Sequence, residues 1–105
     1  MKTFANSDNF ENEVISADVP VIADFYSESC LPCKRLSPVL AELDAEYDGK
    51  VKFVKIKVDT SYELAEKYDV TAAPTVIIFS GGKELERKIG FVGKDELEET
   101  INNYI

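Results

Sequence analysis

Apolar residues run almost unbroken over positions 19–26, Val-Pro-Val-Ile-Ala-Asp-Phe-Tyr, the length and composition of a strand buried on both faces. Asp24 is the one charged residue inside it. Farther along, the period changes. Leu36, Val39, Leu40, Leu43 and Tyr47 recur at i, i+3, i+4, i+7 and i+11 and draw one stripe along a helix. Pro38 falls within that helix and removes a backbone donor, which predicts a bend in its second turn. Asp48-Gly49 ends the helix, and 51–58 alternates lysines with apolar residues before turning apolar-rich, as a strand does. A short helix over about 62–68 leads through Thr71-Ala72-Ala73-Pro74 to another buried strand at 75–79. Gly81-Gly82 supplies a tight turn into a hairpin partner at 84–89. Leu97, Ile101 and Tyr104/Ile105 line one face of a terminal helix that starts after Gly93. At the other end, residues 2–4 form a short first strand, and an amphipathic helix over about 8–15 opens with Asp8 and Glu11 at the spacing of a capping box. The order β-α-β-α-β-α-β-β-α predicts an α/β architecture, a central mixed sheet with helices on both faces.

Length and composition narrow the function. The 105 residues suit one domain over 1–105, long enough to close a core without staples. A net charge of −8 repels phosphate backbones and anionic membrane surfaces, so neither nucleic acid nor membrane is expected as a partner. The first residues lack the apolar run of a secretory signal, and no stretch approaches the ~20 apolar residues of a membrane span; a cytoplasmic address is the expectation.

Both cysteines of the chain lie in Cys30-Leu31-Pro32-Cys33, between a buried strand and the helix that follows. A loop this small staples nothing, so a disulfide here calls for a chemical explanation. Alone, a CxxC reads as half a zinc site, a catalytic dithiol or coincidence. Its position favours the dithiol: at a helix N-terminus the unpaired N–H groups and the dipole favour a thiolate on Cys30, and the second cysteine lies about one turn inside. Zinc would need four ligands, and with no histidine and no further cysteine a metal reading requires two chains to share the ion.

Dispersed residues carry the pattern beyond the pair. Asp24-Phe25-Tyr26 precedes it, Lys34 and Pro38 follow it, and Lys55, Asp59, Ala73-Pro74-Thr75, Gly82 and Gly90 come in order downstream. On these residues nearly the whole chain resembles the thioredoxin family. The resemblance implies a thioredoxin fold and the reduction of protein disulfides by dithiol–disulfide exchange, with no cofactor and no metal. Cys30 would attack a substrate sulfur and Cys33 would resolve the mixed disulfide, after which a thioredoxin reductase returns the electrons. Asp24, desolvated in its strand, would exchange a proton with Cys33, with Lys55 tuning it; the plainer reading makes Asp24 a buried carboxylate paired to Lys55. Pro74 resembles a cis-proline facing the pair, beside which the backbone of Ala73 would pair with an extended substrate. Tyr26, Ser29 and Gly90 complete the implied substrate face, and the protein would act as a monomer.

The departures from the family pattern lie on that face. Ser29 stands in place of the usual tryptophan, Leu31 in place of glycine, and Tyr26 where a second tryptophan is common; the chain has no tryptophan. Leu31 and Pro32, between the sulfurs, offer no side-chain donor to a thiolate, so the expectation is a reducing couple. The altered face points to a reductase of an atypical kind. Two other readings stay open from the sequence: a non-redox binding module on the same fold, and a metal site shared between two CxxC pairs.

Overall fold

Strand β2 (Val21–Tyr26) lies at the centre of a five-stranded mixed sheet. The computed structural model describes residues 3–105, and the sheet order is β1 (Thr3–Ala5), β3 (Lys52–Lys57), β2, β4 (Thr75–Ser80), β5 (Lys83–Ile89). β3 runs parallel to both β1 and β2, whereas β4 is antiparallel to β2 and to β5. The mixed sheet and the order of its elements match the expectation, with Lys2 of the first strand outside the described residues. The hairpin turn carries positive φ at both Gly81 (59°) and Gly82 (80°), the backbone of a tight turn that favours glycine.

Side-chain alternation splits the interior into two cores. Val21, Ala23 and Phe25 join Val54, Ile56, Ile77 and Phe79 on one face, under Phe10, Val14 and Leu64. Phe10, Tyr68 and Phe79 meet there with ring centroids 5.3–5.8 Å apart, within the range of favourable aromatic contact. On the other face Ile22, Phe53, Val76 and Ile78 pack with Leu36, Leu40 and Leu43 of α1 (Leu31–Glu46) and Leu97 and Ile101 of α3 (Lys94–Asn102). Asp24 alternates in step with Ile22, so it points to this second face, toward α1. The lysine Nζ of Lys94 ties the two helices together, 3.0 Å from both Glu42 and Glu46.

One local expectation changes. The N-terminal helix is a single π-type turn, Glu11–Ile15, closed by the N–H of Ser16 to the carbonyl of Glu11, and no side chain caps it. The Asp8–Glu11 capping box is therefore not formed. Asn6 takes over instead: its side-chain oxygen accepts from the N–H groups of Asp8 and Asn9 at 2.9 and 3.1 Å, and an Asx-type turn starts the segment two residues earlier. Helix α1 in turn continues through Pro38, which sits on its exposed side, where water can serve the carbonyl of Lys34 that loses its donor. The short helix α2 (Tyr62–Lys67) covers the first core. Among the described residues, no helix is long and apolar enough to cross a membrane.

Candidate functional site

The C-terminal end of β2 delivers the chain to the N-terminus of α1, and Cys30 is the residue at the junction. Its backbone is extended (φ −97°, ψ 115°), the conformation of a helix N-cap, and its Sγ accepts the N–H of Cys33 at 3.1 Å. Pro32 occupies the second helical position and has no N–H, so Cys33 supplies the donor that reaches the sulfur. Cys30 and Cys33 are joined in a disulfide with Cα atoms 5.2 Å apart. The two sulfurs are not equivalent: Cys30 is half-buried at the rim, whereas Cys33 is 4% exposed.

Three loops converge on Cys30. Its Sγ lies 3.4 Å from the carbonyl oxygen of Ala73, and the Ala73–Pro74 peptide is cis. The Pro74 carbonyl accepts the N–H of Gly90 at 2.8 Å, drawing the end of β5 to the same spot. Gly90 has φ 88°, the left-handed region, so glycine is required there by backbone conformation, since a Cβ would meet nothing within 4 Å. Ala73 and Gly90, far apart in sequence, are thus brought to Cys30 at the rim, with Pro74 and Cys33 buried. Ser29 and Pro32 are exposed and Leu31 is 71% exposed, on the outer side of the pair. Ile89 and Phe91 flank Gly90 with large exposed apolar surface, and the Arg35 guanidinium lies 5.0 Å over the Phe91 ring.

Asp24 lies beneath this surface with no solvent exposure, and neither of its carboxylate oxygens has a hydrogen-bond partner among the described residues. Burial pushes its pKa up to about 7, against a weaker downward pull from the charge of Lys55. Lys55 faces it in strand register, yet its ammonium is engaged elsewhere: it donates to the Ser37 hydroxyl at 3.3 Å and lies 4.4 Å over the Tyr26 ring. The plainer reading of Asp24 as a carboxylate paired to Lys55 does not match this geometry. Tyr26, Cys33, Lys34, Ser37 and Lys55 line a groove of about 400 Å³ beside the buried sulfur.

Two contributors go beyond the roles assigned from sequence, although Asp59 is one of the pattern residues. Asp59 fastens the segment before the cysteines, accepting from the Ser27 hydroxyl at 3.2 Å and from the N–H of Glu28 at 3.2 Å. Ser37 lies four residues after Cys33 on the same helix, a spacing that puts both on one face and was the available signal for it.

Comparison with known proteins agrees with this geometry. The thioredoxin family profile matches residues 2–103. The chain is similar to a thioredoxin of Rickettsia bellii, 39% identical over 97 residues that cover 92% of each chain. It is 40% identical over 97 residues to a thioredoxin of Porphyra purpurea, covering 92% of this chain and 91% of that protein. It is also 39% identical over 100 residues to the chloroplastic M-type thioredoxin of Chlamydomonas reinhardtii, 95% of this chain and 71% of that one.

Proposed function

This chain belongs to the thioredoxin family and is a thiol–disulfide oxidoreductase acting on disulfide-containing proteins, and from that premise we propose how its residues divide the work. All 105 residues serve as one thioredoxin domain. Cys30, at the rim and at a helix start that favours a thiolate, attacks one sulfur of a substrate disulfide. A bond forms between Cys30 and that sulfur, while the other substrate sulfur leaves and takes up a proton. Cys33 gives its proton to Asp24 and attacks the Cys30 sulfur; the bond from Cys30 to the substrate breaks, the second substrate sulfur departs and takes that proton up from Asp24, and Cys30–Cys33 carries the disulfide. Two electrons pass from the protein to the substrate, and a thioredoxin reductase restores the dithiol.

The observation that carries this order is the unequal exposure of the two sulfurs: a partner's disulfide can reach Cys30 at the rim, whereas Cys33, 4% exposed, is left to react within the protein. Lys55 tunes the acid. Tyr26, Ser29, Ala73, Pro74 and Gly90 meet the substrate, with the Ala73 carbonyl beside Cys30 supporting backbone pairing by an extended segment. Leu31 and Pro32 give the thiolate no side-chain donor, and Pro32 withholds a backbone donor as well, which supports a reducing couple. Such a couple suits a monomer working in the cytoplasm, where a pool of reductant keeps it in the dithiol form. The test is covalent capture. Cys33→Ser incubated with a disulfide protein accumulates a mixed disulfide visible by mass spectrometry, whereas Cys30→Ser captures nothing and is inactive. Capture by Cys30→Ser instead would reverse the roles.

A further inference from the structure

Asp24 and Lys55 are register partners on adjacent parallel strands, so their side chains rise side by side toward α1. An ammonium so placed beside an acid with two unpartnered oxygens would ordinarily pair with it. Here it does not, and the reason is visible one helical turn beyond Cys33. We propose that Ser37 is a positioning residue for Lys55: its hydroxyl, with the Tyr26 ring, holds the ammonium at the groove wall and so keeps it from pairing with Asp24. The inference rests on the reading of Asp24 as the proton acceptor for Cys33, and deepens it.

The physical balance favours this arrangement as long as both holders are present. At the groove wall the ammonium keeps partial contact with water, donates to a hydroxyl and lies over an aromatic face. Moving onto Asp24 would strip that water from a charge in order to bury it. Removing the hydroxyl takes away the directional bond, and the pull of the buried carboxylate is then met by the ring alone. The other ionisable groups around Asp24 do not replace Lys55. Cys33 is its proton partner, and Lys34 on α1 is exposed. Lys57 on β3 is bound by Glu28, and Lys88 on β5, across Val76, is held by Glu86 and Glu96. Lys55 is the cation that acts on Asp24.

The experiment is an NMR titration of the Asp24 carboxyl carbon in the oxidised protein, which needs no turnover. The variants are Ser37→Ala, Ser37→Thr, Lys55→Met, and Ser37→Ala combined with Lys55→Met. An opposite charge brought beside a carboxyl lowers its midpoint, and the expected fall in Ser37→Ala is about one pH unit. Ser37→Thr keeps the hydroxyl and restores the starting midpoint, while Lys55→Met raises it. In the Lys55→Met background, Ser37→Ala has no effect, because the cation through which it acts is gone. An unchanged midpoint in Ser37→Ala, or the same fall with and without Lys55, would overturn the proposal. A midpoint that falls while the pH profile of disulfide reduction stays put would support the positioning role and count against Asp24 as the acceptor, so the two failures are told apart.

Discussion

Asp24 shows what a single residue can cost a fold and why it is worth keeping. Its carboxyl is ordinary in the unfolded chain, near 3.8, but titrates at about 7 when buried, so the native state holds a proton that the unfolded state has lost between those values. Stability therefore falls as pH rises from about 4 to 7, and the penalty is complete above that. Its size is on the order of 4 kcal/mol, a large share of the stability of a small domain. Asp24→Asn removes the ionisation. Urea unfolding should show the variant gaining on the parent as pH rises from 4 to 7, with a constant advantage beyond; equal curves at pH 5 and pH 8 would mean the acid is not desolvated in solution. On the role proposed above, the same variant loses the acceptor for Cys33. Its turnover should slow most around neutrality and just below, where hydroxide is scarce, and identical rates from pH 6 to 8 would assign Asp24 to structure alone.

Between residue and molecule, the elements carry the geometry, and the cysteines sit where a strand ends and a helix starts. The segment bridging them is held by Asp59, just beyond the end of the neighbouring strand β3, through one side-chain and one backbone donor. Asp59→Ala should cost about 1 kcal/mol of stability, speed hydrogen exchange at the Glu28 amide and lower the rate of disulfide reduction several-fold. Unchanged exchange at that amide would show that the loop holds itself. The buried strands, the α1 stripe and the Gly81-Gly82 turn were legible because each is written in consecutive residues: a two-sided strand has to be apolar throughout, and a helix face repeats. The cysteine pair was legible for the same reason. What could not be read were contacts between separated elements. Asp59 reaches Ser27 across 32 positions and Lys55 reaches Ser37 across 18, and no local pattern says which residue meets which. The N-terminal turn was misjudged on a subtler ground. Asp8 and Glu11 have the spacing of a cap, but Asn6 stands two residues earlier and closes its own turn first.

On the scale of the molecule, the face around Cys30 is where the proposed function brings its partners. Tryptophan is among the residues that most often dominate interface energy, and Ser29 offers little of that contact area, while the Leu31 side chain stands out where a smaller residue would let a partner approach. A reductase adapted to the tryptophan-bearing pattern should therefore recycle this protein poorly, and the double variant Ser29→Trp, Leu31→Gly should be recycled with a higher kcat/KM. Equal values in steady-state assays would show that the rest of the face compensates.

The edges of the sheet bear on what happens to a captured chain. Among the described residues β1 spans Thr3–Ala5, and β5 carries lysines, glutamates and an arginine, with Arg87 clamped on Glu84 and Lys88 on Glu86 and Glu96. An unfolded polypeptide that tried to add itself as a further strand beside β5 would have to disturb those ion pairs. A client is therefore tethered by the bond between sulfurs far more than by the sheet. On the roles proposed above, once Cys33 severs that bond only the short pairing at Ala73 is left to delay departure, and the reduced product leaves without having to be peeled from a sheet edge.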